Sequence, residues 1–278
     1  MTRASLPADR PLFRLGATAL VILAGAGCYG DLTSPPNVSW KLAWADEFDG
    51  TAGQAPDPAN WKFDVGTNWG NNQLEFDTDS ARNATLDGAG NLAIVARQQS
   101  YQGSSYTSAR LTTQGKHEQT LGRFEARIKM PTATGIWPAF WMLGGNCATS
   151  PWPKCGEIDI MENFGRNPSR NQGSLHGPGY SGANALNRAF DLPNGELLSD
   201  DFHVYRVDWL SDRIVWYVDV QIYQVIKKSY INPDDWVFDH TFYVIMNLAV
   251  GGGPPGPPNG TSFPQTMLVD YVRVYSAN

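Results

Sequence analysis

The sequence predicts an all-β fold, a β-sandwich or barrel formed by one domain over residues 39–278. Three observations carry that expectation. After the first 38 residues the chain is almost entirely short segments, five to nine residues long, in which apolar and polar side chains alternate as they do along strands. Gly, Pro, Asn and Asp break these segments at near-regular intervals, the rhythm of many short strands joined by turns. No window of twelve or more residues carries an i, i+3, i+4 apolar stripe, which argues against alternating helices and a parallel sheet.

Taken in order, residues 1–27 stand apart. Arg3, Arg10 and Arg14 precede an apolar run from Leu15 to Gly27, and Ala24-Gly25-Ala26 places small residues before a break. That is the pattern of an export signal, too short to span a bilayer comfortably. Cys28 follows at once, and Gly25-Ala26-Gly27-Cys28 is similar to a bacterial lipoprotein box, with Gly25 where Leu is usual. Lipidation of Cys28 is therefore expected, with simple secretion as the alternative. The protein is expected to be extracellular or lipid-anchored at the bacterial cell envelope, touching a membrane only through Cys28. Residues 28–38 lack periodicity and read as a tether.

The clearest strand candidates are 91–97, 122–129, 203–209, 214–218, 242–248 and 268–275. Tyr205, Trp209 and Trp216 fall in one expected hairpin, with Tyr205 and Trp216 assigned to the core and Trp209 to a ligand cleft. Cys147 and Cys155 lie eight apart in one loop. In an exported chain they can pair, leaving Cys28 for lipid; two free thiols are the other reading. A metal site is disfavoured because no second Cys pair or His cluster is near.

The whole chain has 278 residues, a formal charge of −6, 17% charged and 12% aromatic side chains. An acidic balance argues against nucleic acid, whose binding needs clustered Lys and Arg. Few charges beside many Trp and Tyr suit a neutral, hydroxyl-rich ligand that stacks on rings, although an aromatic core gives the same composition.

The segment that carries chemistry is Gly156-Glu157-Ile158-Asp159-Ile160-Met161-Glu162-Asn163. Along a regular strand, Glu157 and Asp159 share one face while Ile158 and Ile160 take the other. Strict alternation would put Glu162 with the isoleucines. A one-residue β-bulge at Ile160-Met161 restores it to the Glu157 face, and bulges are common beside active sites. Three carboxylates on one face, with no Lys or Arg in the segment, fit paired acid–base work on a glycosidic bond. A solvated acidic edge and a metal-binding cluster are the competing readings.

Glu157-Ile158-Asp159-Ile160-Met161-Glu162 resembles the active-site signature of glycoside hydrolase family 16, in the bulged form of the laminarinases, or endo-β-1,3-glucanases. The resemblance runs from about Trp40 to Tyr275 and includes Asp46-Glu47-Phe48, Trp69-Gly70-Asn71-Asn72, Tyr106-Thr107-Ser108-Ala109-Arg110, Trp137-Pro138-Ala139-Phe140-Trp141-Met142, the His176–Gly182 segment and Val269-Asp270-Tyr271-Val272-Arg273-Val274-Tyr275. It implies a jelly roll of two curved antiparallel sheets with a polysaccharide lying across a concave cleft. It also implies that Glu157 is the nucleophile, Glu162 the general acid/base, and Asp159 the group that tunes them. Trp137 and Trp141 become sugar-stacking platforms; Asn71, Glu75, Arg110 and His176 become candidate sugar contacts. Relatives often carry a structural calcium, for which Glu47, Gly90 and Asp270 would be ligands by position, a mixed oxygen set suited to a hard cation. No cofactor is implied for catalysis, and a monomer is expected.

Three departures from the family pattern stand out. Gln73 and Glu75 exchange the acid and amide of the usual Trp-Gly-Asn-Asn-Glu-Leu-Gln. Pro254 stands where a Trp is common. Asp219-Val220 replaces an Asp-Gly turn, and Val tolerates positive φ poorly. The implied activity is retaining endo-hydrolysis of β-1,3-glucan. The rivals are the same fold acting on mixed-linkage β-glucan or a galactan such as agarose, and a non-catalytic glucan-recognition module, whose members lack the acids this chain keeps.

Overall fold

A computed structural model describes residues 35–278, so the export segment and Cys28 lie outside the described residues. The fold is an all-β sandwich of a ten-stranded and an eight-stranded sheet. Every strand pairing is antiparallel except that of Glu75–Asp77 with Ser104–Ser108.

Gly122–Lys129 and His203–Trp209 have the limits that alternation predicts, while Leu92–Tyr101, Phe242–Val250 and Gln265–Ala277 run longer. All nine residues of Phe242–Val250 are buried, so this strand has no polar face to mark its end in the sequence.

The core lies between the sheets. Phe124, Ile128, Tyr205 and Trp209 face it from the ten-stranded sheet, and Phe140, Ile158 and Phe242 from the eight-stranded one. Trp209 therefore does not reach the cleft, contrary to expectation. Its ring meets Phe242 edge-on at 5.1 Å, and its Nε1 donates to the Phe238 carbonyl at 3.2 Å. Tyr205 and Trp216 are core, as predicted.

The Asp219–Val220 turn works by placing the positive φ on Asp219, at 52°, while Val220 keeps an ordinary φ and points into solvent. The Asp219 carboxylate then accepts from the Val204 amide at 2.8 Å. Cys147 and Cys155 form a disulfide. Among the described residues, no helix is long and apolar enough to cross a membrane.

Candidate active site

The eight-stranded sheet carries the site on its outer face. In Ile136–Gly144, the residues at odd positions, Trp137, Ala139, Trp141 and Leu143, line a cleft of about 920 Å³, while Ile136, Phe140 and Met142 enter the core. The neighbouring strand Glu157–Glu162 would lose this alternation without an extra residue. Its pairing with Ile136–Gly144 jumps from Trp141↔Asp159 to Phe140↔Met161, so Ile160 has no opposite number. The register with Arg170–His176 slips over the same residues, between Asp159 and Glu162. Ile158, Ile160 and Met161 are fully buried, whereas Glu157, Asp159 and Glu162 all line the cleft.

A bulge frees backbone carbonyls, and the opposite sheet takes them up. Trp216 Nε1 donates to the Asp159 carbonyl at 2.8 Å, and Tyr223 Oη to that of Ile160 at 3.5 Å. Both rings reach that far because residue 173 is glycine: a Cβ there would lie 2.6 Å from Trp216 Cδ1. The sequence marks Trp216 as core without marking this second task, since an indole N–H leaves no trace in periodicity.

The three carboxyl groups sit in a nearly closed environment. Trp137 Nε1 donates to one oxygen of Glu162 at 3.0 Å and Ser174 Oγ to the other at 3.3 Å. His176 Nδ1 accepts from the Gly182 amide at 3.1 Å, which leaves the ring proton on Nε2 to be donated to Asp159 at 2.9 Å. Glu157 and Asp159 share a hydrogen bond. Burial pushes Glu157 up to about 8, with the Asp159 charge adding to the shift, and pushes Asp159 up to about 7. Glu162 is raised well above the carboxylate range by burial, then by the charges of Asp159 and Glu157. Near neutral pH the trio therefore keeps protons that isolated carboxyls would lose. Such a cluster can hold one acid protonated beside an ionised neighbour, the division of labour that glycosidic cleavage needs.

The profile of glycosyl hydrolases family 16 matches residues 62–273. The chain belongs to this family. It is 38% identical to a beta-glucanase from Rhodothermus marinus over 96% of both chains. The endo-beta-1,3-glucanase from Pyrococcus furiosus superposes with a TM-score of 0.82 at 44% identity, covering 87% of this chain and 96% of that one. The laminarinase catalytic domain from Thermotoga maritima does so with a TM-score of 0.80 at 45% identity, covering 85% of this chain and 98% of that one. The protein is thus a glycoside hydrolase, and its family needs no cofactor for catalysis.

Within this family 16 hydrolase, Asn71, Arg110, Trp137, Trp141 and His176 line the same cleft as the acids. Besides Trp137 and His176, which hold the acids, two more are committed in ways the sequence does not reveal. The Arg110 guanidinium stacks over Trp69 at 4.9 Å and Trp141 at 4.8 Å, while its Nε is paired with Asp64 at 3.2 Å. One face of Trp141 is therefore covered, and its Nε1 donates to Asn247. Trp69, 37% exposed, is the more open ring of that stack and was not singled out from sequence.

Glu75 is a correction. It does not line the cleft; its side chain is 1% exposed and accepts from the Val250 amide at 2.8 Å, while Gln73 takes the cleft position. The period of two explains this: on a strand starting at Glu75, the alternate residue Asp77 is buried with it, so the exchanged acid falls on the inward face.

The carboxylates expected as calcium ligands have other partners. Glu47 is clasped by Arg273, Nε and Nη2 each 2.8 Å from one oxygen, and Asp270 accepts from Arg127 Nη1 at 2.7 Å. A cation taking both carboxylates would have to displace Arg273 from Glu47, whereas only one oxygen of Asp270 is engaged by Arg127. Gly90 contributes only backbone, in a turn with φ at 85°. Among the described residues, the ligand atoms that do converge belong to Glu157, Asp159 and His176, within 4.8 Å of one another.

Proposed function

We propose that the protein is an exported, retaining endo-β-1,3-glucanase that acts as a monomer on laminarin-type polysaccharide. The observation that carries the reading is the bulge at Ile160, which brings Glu157, Asp159 and Glu162 to one wall of the cleft of about 920 Å³. The names of the Pyrococcus and Thermotoga relatives support β-1,3-glucan as substrate.

In this reading the proton shared by Glu157 and Asp159 is held on Asp159, so that Glu157 attacks the anomeric carbon as the carboxylate while Glu162 gives its proton to the leaving oxygen. The bond to the leaving sugar breaks as the Glu157 ester forms. Glu162, now ionised, then takes a proton from water, whose oxygen displaces Glu157 with a second inversion. Trp137 and Ser174 hold the two oxygens of Glu162, and Asp159, fixed by His176, keeps a hydrogen bond on Glu157 that steadies its orientation between the two steps.

The roles of Asn71, Trp137, Trp141 and Arg110 as sugar contacts belong to this proposal, as do secretion and lipidation at Cys28. Palmitate labelling of wild type against Cys28→Ser is expected to mark only the wild type. A structural calcium near Glu47, Gly90 and Asp270 would draw on backbone carbonyls and on the Asp270 oxygen that Arg127 leaves open. Chelation is expected to leave kcat unchanged, and a fall in melting temperature would reveal such an ion.

Reducing-sugar release from laminarin, lichenan, agarose and xyloglucan tests the substrate, with laminarin expected to be cut fastest. Faster cutting of lichenan or agarose would move the assignment to mixed-linkage glucan or galactan, and no release from any would favour a recognition module. The anomeric form of the first product, read by NMR, is expected to be β.

A further inference from the structure

We propose that the Cys147–Cys155 disulfide is a positioning device for the substrate, acting through Trp152, which it holds over the cleft beside Glu157. The inference rests on the hydrolase reading above and adds to it an aromatic contact and the covalent link that sets its place.

Trp152 lies inside the loop the disulfide closes, lines the cleft, and is 47% exposed. A side chain that open is not held by burial, because little apolar surface is removed from water around it. Its ring neighbour is His176, at 6.0 Å between centroids and tilted by 44°, and both side chains line the cleft together with Glu157. It thus stands directly at the reacting end of the cleft, with a free face for a sugar ring.

The loop is pinned at its base and closed across its middle. Gly144 N donates to the Gly156 carbonyl at 3.2 Å and Gly145 N to that of Thr241 at 2.8 Å. Gly156, at φ 74°, is wedged so tightly that a Cβ would meet Phe242 at 2.8 Å and Phe238 at 3.1 Å. Glu157 follows at the next residue, so the base of the loop and the first carboxylate are one rigid unit. Between these anchors the loop carries only local turns, such as Lys154 N to the Pro151 carbonyl at 2.9 Å. The disulfide is the one covalent restraint on the loop. Fixing a contact group in its bound position before substrate arrives lowers the entropy lost on binding. Its removal therefore weakens ground-state binding more than bond breaking, a rise in KM with little change in kcat.

The test compares wild type, Cys147→Ser/Cys155→Ser, Trp152→Ala and the triple variant on laminarin, each checked for folding by circular dichroism. The serine pair is expected to raise KM about tenfold and to change kcat less than about threefold. In the Trp152→Ala background the same serine pair is expected to add little, because the disulfide acts through the ring. An unchanged KM in the serine pair, or full additivity with Trp152→Ala, would overturn the proposal. Should the serine pair fail to fold, dithiothreitol supplies the second measurement: it should raise the KM of wild type and leave that of Trp152→Ala unmoved, and equal or absent shifts refute the idea. If wild type cuts another glucan in place of laminarin, the same comparison on that polymer still decides this inference while the substrate assignment alone fails.

Discussion

Glu157, Asp159 and Glu162 on one side, and Glu75 with Asp77 on the other, are both groups of buried acids, yet only the first opens into the cleft. Burial pushes Glu75 up to about 7 and Asp77 well above the carboxylate range, as it does the trio. Their hydrogen bonding differs in purpose. Glu75 accepts from the Val250 amide and so ties the strand after the Trp69–Gln73 loop to the end of Phe242–Val250, while one oxygen of Asp77 has no partner at all. Perturbed acidity alone therefore does not single out a catalytic group. Access to a substrate-sized cleft does, together with donors that leave each acid a free edge.

The sharpest way to break this contrast is to neutralise one acid in each group. Glu157→Gln and Glu162→Gln are each expected to lower kcat on laminarin by at least about a thousandfold, while Glu75→Gln keeps it within about threefold. A comparable loss at Glu75 would place the buried pair in the catalytic machinery.

Stability separates the groups next. Glu75 has a folded pKa above its ordinary 4.5, so the folded protein holds its proton longer than the unfolded chain does, and stability is lost as pH rises from that value through about 7. Glu75→Gln, whose amide oxygen can still accept from Val250, removes that loss. The expected gain is up to about 3 kcal/mol, or roughly 5–10 °C in Tm, at pH 8, and close to nothing at pH 4. Equal melting curves at pH 8 would show that Glu75 is not held protonated.

A smaller effect probes what supports the trio from behind. Trp216→Phe keeps the core ring and removes the donor to the Asp159 carbonyl, so kcat is expected to fall about tenfold with KM nearly unchanged. Smallest is Trp69→Ala, which takes the open ring off the Arg110 stack and is expected to raise KM about fivefold with kcat kept. A drop in kcat for Trp69→Ala, or a rise in KM for Trp216→Phe, would reverse the two assignments.

Much of this is legible in the sequence. The bulge followed from the sequence itself, because Glu162 falls out of phase with Glu157 and Asp159 and a one-residue insertion is the simplest repair. The strands were legible wherever one face is polar, as in Gly122–Lys129, and lost their ends where both faces are buried, as in Phe242–Val250. Trp209 was misplaced because hydrophobicity reads the same in a core and in a sugar cleft. Glu75 was misplaced because an acid in a loop-flanking motif is expected outside.

What the sequence determined by itself is the all-β class, the family signature and the three carboxylates, since period and residue type are local properties of a chain. What the tertiary structure alone decided is which side chains from distant strands meet. Trp216 reaching across to Asp159, Arg110 covering Trp141, and Arg273 taking the carboxylate of Glu47 are contacts between residues 57, 31 and 226 positions apart. Such pairings depend on sheet register and on the packing of one sheet over the other, which no local pattern encodes.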